Sequence, residues 1–337
     1  MFEIGIYNFG EITPNPVTGK MASAGERIQQ LLEQAEAADK AGLDVFALGE
    51  HHRGDFAVSA PTVVLAAAAE RTKKIRLSTS VSILSSDDPV RVYQQHATLD
   101  LISKGRAEMM VGRGSYTESF PLFGYSLGDY DDLFEEKLRL LMEIQDNNPI
   151  SWKGRFRPPL KNADIAPRPE RKLPLWVAVG GAPASVARAA QLKLPLALAI
   201  IGGEWRRFRP FTDLYRKTSS LPIGINTPGF VAKTAGEVYE IGFPYFAKGW
   251  MENFHERHHG IKVTKETFAA QSGPEGALFF GTVDEIVEKI VAQHKVFGHQ
   301  RFMMQLGFGN VPQEEALKSI ELLGKEVAPR VRKLVQE

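Results

Sequence analysis

A chain of 337 residues, 43% of them hydrophobic, can bury one large core, and α/β barrels with insertions reach this length as a single domain. Its 41 basic and 40 acidic residues leave a net charge of +1, with no basic excess to hold a nucleic-acid backbone. The absence of cysteine excludes disulfides, thiolate nucleophiles and cysteine-ligated zinc.

The chain begins with a strand, Phe2 to Tyr7, with no basic flank of the kind a signal peptide carries. Ser23 and Glu26 form a capping box that opens a helix, and Gly42 closes it. Val45 to Leu48 is apolar throughout, as for a strand buried on both faces. A helix is predicted from about Ala60 to Arg71. The apolar stretch from Phe56 to Ala69 is too short to cross a bilayer and contains Pro61, so no membrane partner is expected and the expected location is the cytoplasm. Ile75 to Val81 is the third strand. Asp88-Pro89 caps a helix running to about Leu101, and Ala107 to Val111 is the fourth strand. Asp132 and Glu135 read as a second capping box, opening a helix to about Gln145.

Further on, Leu175 to Val179, Leu196 to Ile201, Ile223 to Val231 and Arg301 to Leu306 are predicted strands. Pro183 to Leu192, Glu204 to Lys217, a helix capped by Thr282 and Glu285, and Gln313 to Lys325 are predicted helices. About eight strand–helix units in one series imply a parallel sheet, and that number favours a closed (β/α)8 TIM barrel over residues 1–337. Two segments exceed a minimal barrel: Trp152 to Arg171, read as a hairpin and loop, and Pro244 to Gly276, rich in His, Phe and Gly. Long loop insertions commonly carry specificity.

A barrel places its reactive groups at the C-terminal strand ends. After the second strand stand Glu50, His51 and His52, three titratable groups that make a catalytic cluster or, alternatively, a buried ion pair with a structural histidine. Adjacent residues on an extended segment point in opposite directions, so at most one histidine faces the barrel axis and the other supports it. After the third strand, Ser80, Val81 and Ser82 are small enough for a flat ligand to approach, although such residues are also simply tolerated in strands. Arg113 stands between Gly112 and Gly114 and suits phosphate through charge-assisted bonds. Gly180 and Gly181 lead into a helix whose free N–H groups form an anion site near Ser185. No complete G-x-G-x-x-G follows a strand, which disfavours a dinucleotide-binding unit. His255-Glu256-Arg257-His258-His259 fits H-E-x-x-H, but it sits in an insertion with Gly260 next to it. It is read as a polar loop helix, and no metal is expected.

These residues together resemble the bacterial-luciferase-like flavin-dependent oxidoreductases. The resemblance rests on Glu50-His51-His52, on Pro89-Val90-Arg91, on Leu99-Asp100 with Ser103 and Gly105-Arg106, on Gly112-Arg113-Gly114 and on Gly281-Thr282. It implies a barrel that binds FMN, or in one branch the deazaflavin F420. By the same resemblance His51 is the proton-transfer group, with Glu50 and His52 around it. Ser80 and Val81 match a strand that often holds a non-prolyl cis peptide, Arg113 a phosphate-binding arginine, and Gly180-Gly181 the phosphate turn. That turn lacks the acidic and hydroxyl side chains of the luciferase pattern, so backbone N–H groups and Ser185 must substitute. The expected activity is a two-component monooxygenase that takes reduced FMN from a separate flavin reductase, with O2 and a small organic substrate. The alternatives are F420-dependent hydride transfer and flavin binding without turnover. The aromatic set Phe243, Tyr245, Phe246, Trp250 and Phe254 points to a planar or apolar substrate, or else is core. Barrels of this family often form homodimers through the early helices, and Ala66 to Ala69 would permit close helix approach.

Overall fold

Short β-branched and apolar runs, each followed by an amphipathic segment, give a repeated strand–helix unit, and here the units close on themselves. The computed structural model describes residues 1–253, 263–306 and 308–336. His255 to His259, Phe254 and Gly260 therefore lie outside the described residues. The strands are β1 (Glu3–Asn8), β2 (Val45–Leu48), β3 (Arg76–Thr79), β4 (Ser82–Ile83), β5 (Ala107–Gly112), β6 (Ile150–Trp152), β7 (Leu160–Ala163), β8 (Leu175–Val179), β9 (Leu196–Ala199), β10 (Ile223–Ala232), β11 (Phe279–Thr282) and β12 (Arg301–Gln305). The parallel ring runs β1, β2, β3, β5, β8, β9, β10, β12 and back to β1, which is an eight-stranded closed barrel. Closure removes every sheet edge from the ring.

Local sequence signals explain most element ends. Ser23 and Glu26 make the reciprocal capping box on helix Ala24–Ala41, and Gly42 ends that helix at φ 80°. Asp88 accepts from the Val90 N–H and caps helix Pro89–Ile102. Thr282 and Glu285 make the expected box on helix Val283–Phe297. The segment after β5 behaves differently. A 3-10 turn, Leu127–Asp129, runs directly into helix Tyr130–Asp146, which starts two residues ahead of Asp132 and has no side-chain cap. Asp132 lies in the first turn, and Glu135 pairs with Arg139 and Arg188 instead of reaching back. The expected strand from Ile75 to Val81 is divided: a cis peptide between Ser80 and Val81 separates β3 from β4. Glu204 to Lys217 is also divided, into a 3-10 turn at Trp205–Phe208 and helix Arg209–Arg216.

Both segments beyond the minimal barrel contain ordered elements. β6 and β7 pair antiparallel as a hairpin within the first. Helices Phe243–Asn253 and Lys265–Ser272 belong to the second, and β11, which the sequence reading did not foresee, pairs with the outer half of β10. Phe246 packs against Phe268, Phe280 and Phe308 at ring-centroid distances of 5.7, 5.2 and 4.9 Å, so this aromatic set includes core of the insertion.

Ile4, Ile6, Leu31, Phe46, Leu65 and Leu77 belong to the apolar layer between ring and helices. The inside of the barrel is filled in tiers. Arg301, Glu108, Arg76 and Glu3 form an ion-paired floor at the strand N-termini. Tyr7, Val45, Ala47 and Met303 pack above it, beside Met110, Trp176 and Ala197. The C-terminal strand ends are thus left as the open end of the ring. Among the described residues no helix is long and apolar enough to cross a membrane.

Candidate active site

Gly49 follows β2 because no side chain fits there: a Cβ would stand 2.2 Å from the Phe9 ring. The chain then places Glu50, His51 and His52 in sequence, and their side chains diverge as extended geometry requires. His51 is 5% exposed and enclosed by aromatic rings. Phe56 stacks on it at 4.1 Å, and Phe9 and Tyr116 meet it edge-on at 4.9 and 4.8 Å. Its Nδ1 lies 3.6 Å from Glu118 Oε1, within ion-pair range but beyond a hydrogen bond, and has no hydrogen-bond partner. Burial pushes the imidazole below its ordinary pKa of 6.5, and Glu118 opposes that shift. His51 is therefore a neutral base at neutral pH.

His52 turns the other way. Its Nε2 is 2.8 Å from Glu50 Oε1, and this hydrogen bond raises its pKa against the effect of burial. The other oxygen of Glu50 accepts from the Ile83 N–H at 3.0 Å, which ties the loop after β2 to β4. Glu50 and His52, with Ser82, Ser86, Asp87 and Phe123, line a cavity of about 210 Å³ beside the barrel mouth. Burial raises the Asp87 carboxyl, and it brings the Lys137 ammonium, which donates to the Ser85 carbonyl, down to about 8.

The expected cofactor residues stand around the same end of the barrel. The Ser80–Val81 peptide is cis, and Ser80 Oγ accepts from Asn226 Nδ2 at 3.1 Å across the ring. Asn226 Oδ1 is buried without a partner. Ser82 lies in β4 and is buried. Val81 packs over Gly112, where a Cβ would come within 3.0 Å of it. Arg113 pairs with Asp131 and stacks on the Tyr130 ring at 5.0 Å. Gly180 borders open space, and Gly181 has φ 103°, a conformation L side chains rarely adopt. Ser185 is buried in the first turn of helix Pro183–Gln191.

Sequence reasoning did not single out Glu118, Phe9, Phe56, Tyr116 or Asn226. Glu118 had one available signal, since it is a carboxylate in the loop after a barrel strand. Its pairing predicts a measurable effect. Burial acts to raise the Glu118 pKa, but His51 and backbone donors hold it below the ordinary value. In Glu118→Gln the imidazolium of His51 loses its counter-charge, so the His51 midpoint is expected to fall further, as read by NMR titration of the ring. An unchanged midpoint would show that Glu118 does not control His51.

Comparison with known proteins bears on the family and the fold. Over 318 residues the chain is 28% identical to the uncharacterized protein y4wF of Sinorhizobium fredii, covering 89% of this chain and 91% of that one. Its fold is similar to the oxygenating constituent of 3,6-diketocamphane monooxygenase from Pseudomonas putida, a structure in complex with FMN (TM-score 0.77, 20% identity, 98% of this chain and 99% of that one). It is also similar to an F420-dependent secondary alcohol dehydrogenase (TM-score 0.73, 20% identity, 98% and 99% covered). The luciferase-like monooxygenase family matches residues 3–300, which is most of the chain. With its closed parallel barrel, the chain belongs to the luciferase-like monooxygenase family of oxidoreductases.

Proposed function

We propose that the chain is the oxygenating component of a two-component, FMN-dependent monooxygenase, taking reduced FMN from a separate flavin reductase and oxygenating a small organic substrate with O2. The observation that carries this reading is His51: a buried imidazole whose Nδ1 faces Glu118 without a hydrogen bond, in an aromatic box at the barrel mouth. The donor set suits a flavin. Gly180 borders open space at the end of β8, the Ser80 hydroxyl stands beside Asn226 Nδ2, and Asn226 Oδ1 is a buried acceptor that lacks a donor. Arg113 and the N-terminus of helix Pro183–Gln191, with Ser185, would hold the phosphate. Bound flavin supplies the redox chemistry. The protein's part is to exclude water with Phe9, Phe56 and Tyr116, and to exchange a proton at His51, with Glu50 fixing His52 behind it. The chain is proposed to work as a cytoplasmic homodimer.

The second reading, hydride transfer with F420, keeps the same pocket and differs in the anionic tail to be held. Fluorescence titration with FMN, reduced FMN and F420 separates the two. Tight binding of F420 alone would overturn the monooxygenase reading, and flavin binding without oxygen consumption on any substrate would leave a carrier. Arg113→Ala is expected to weaken FMN binding about 10–100-fold, the loss of one charge-assisted phosphate contact, while riboflavin binding stays unchanged. Equal weakening of both ligands would remove Arg113 from the phosphate.

A further inference from the structure

Glu11 stands three residues beyond β1 and is 1% exposed. Its backbone bridges antiparallel to Phe56, the residue whose ring stacks on His51. The Ile12 N–H donates to the Asp55 carbonyl at 2.7 Å, and the Ala57 N–H to the Gly10 carbonyl at 2.8 Å. The loops after β1 and β2 are therefore joined into one wall, with His51 and Glu11 on it. Glu11 Oε1 accepts from Gln305 Nε2 at 3.2 Å, and Gln305 Oε1 accepts from the Tyr7 hydroxyl at 3.4 Å. Gln305 is the last residue of β12 and Tyr7 the next-to-last of β1, so this chain of contacts holds the carboxyl at the C-terminal strand ends. Glu11 Oε2 is buried and has no hydrogen-bond partner.

We propose that Glu11 is a second proton-holding residue of the pocket, whose free oxygen meets an oxygen of the bound ligand while His51 serves as the base. The proposal rests on the reading of the barrel mouth as a flavin site. A buried carboxylate oxygen without a donor is costly, whereas a carboxylic acid can hold a proton there until a ligand accepts it. The surrounding charges agree. Burial raises the Glu11 pKa to about 7, Arg27 and Gln305 limit the rise, and Asp55 adds to it. Arg27 is not spent on a direct bond to this carboxyl, since its guanidinium donates to Asn8 and Gln30. The environment thus lowers the affinity of His51 for a proton and raises that of Glu11, which is how one pocket keeps an acid and a base together at neutral pH. The proton balance closes. Glu11 gives its proton to a carbonyl or hydroxyl oxygen of the ligand and becomes a carboxylate facing Arg27. His51 takes a proton from the ligand and becomes an imidazolium facing Glu118. Exchange with water restores both. The ligand this pairing fits is a planar or apolar molecule carrying such an oxygen.

The test is pH-difference infrared spectroscopy of the intact protein, alone and with reduced FMN, on wild type, Glu11→Gln and Glu11→Asp. The expected result is a protonated-carboxyl band that titrates near neutrality, is missing in Glu11→Gln, and moves when reduced FMN binds. Glu11→Asp keeps a titrating band and loses its response to FMN. Reoxidation of bound reduced FMN by O2 is expected to slow roughly a hundredfold in Glu11→Gln and to lose its dependence on a group titrating near neutrality. A band titrating in the ordinary carboxylate range, or one indifferent to bound FMN, overturns the proposal. If neither FMN nor F420 binds the wild type, the flavin reading fails. The ligand contact proposed for Glu11 fails with it, whereas FMN binding with an unmoved band overturns Glu11 alone.

Discussion

Replacing His51 with alanine is expected to slow substrate oxidation about 10²–10⁴-fold, the usual contribution of a positioned proton-transfer group, and to leave FMN bound at close to wild-type affinity. The separation of the two effects follows from the geometry. The contacts proposed for flavin phosphate, Arg113 and the Gly180–Gly181 turn, belong to the loops after β5 and β8, whereas His51 belongs to the loop after β2. The pH dependence has a definite sign. Burial holds His51 below its ordinary value of 6.5, so the base form is present at neutral pH and is lost as pH falls through the lowered midpoint. Wild-type turnover should therefore show an acid limb below pH 6.5, and His51→Ala should lack it. Oxygen consumption with reduced FMN across pH, together with a flavin titration of each variant, checks both points. Turnover within a few-fold of wild type would remove His51 from the chemistry. Loss of flavin binding in step with turnover would make it a binding residue.

The parts of this molecule that could be read in the sequence are those decided within a few residues. Ser23 with Glu26, Gly42, Asp88 with Pro89, and Thr282 with Glu285 act on their own helix ends, and each does in the structure what its spacing implies. Asp132 and Glu135 have the same spacing without the same outcome. The preceding 3-10 turn already sets the helix direction, and Glu135 finds Arg139 and Arg188 nearby. β11 was missed for a related reason: Phe279-Phe280-Gly281-Thr282 has no alternating pattern, and its pairing with β10 joins segments about fifty residues apart. The candidate site shows the same division. The positions of Glu50, His51 and His52 followed from the end of β2, and their divergence from backbone geometry. The environment that gives His51 its character did not follow. Phe9, Phe56, Tyr116 and Glu118 come from the loops after β1, β2 and β5, and only the closed ring brings them together. Arg113 was legible as a strand-end cation between two glycines, but its partner Asp131 depends on where helix Tyr130–Asp146 begins.

The floor of the barrel should be as critical to stability as His51 is to turnover. Arg301 is 2% exposed, and its guanidinium bonds Glu108 at 2.8 and 3.2 Å and Glu3 at 2.6 Å while lying 4.1 Å above the Trp176 ring. Arg76 joins the same two carboxylates at 2.9 and 2.6 Å. Burial alone would raise the Glu108 pKa, but Arg301, with Arg76 and Arg171, overrides it and holds the carboxyl below the ordinary range. Glu108→Leu leaves a buried guanidinium short of its counter-charge, a change that costs about 3–5 kcal/mol. At a few degrees per kcal/mol, Tm should fall by on the order of 10 °C. The double variant Glu108→Leu, Arg301→Met should recover much of this loss, because a well-packed apolar pair avoids the desolvation of two charges. The pH dependence separates charge from packing. A carboxyl with a depressed folded pKa contributes stability above its unfolded pKa, and that contribution is lost as pH falls through the folded value. Wild type should therefore lose stability in the acid range below the ordinary glutamate pKa more steeply than the double variant. Denaturant unfolding of the three proteins across that range measures both effects. A single variant that loses less than about 1 kcal/mol, the scale of an exposed pair, would mean that water reaches Arg301 and that the floor is not sealed. FMN affinity should be the same in all three proteins, since the floor and the His51 pocket lie at opposite ends of the same strands.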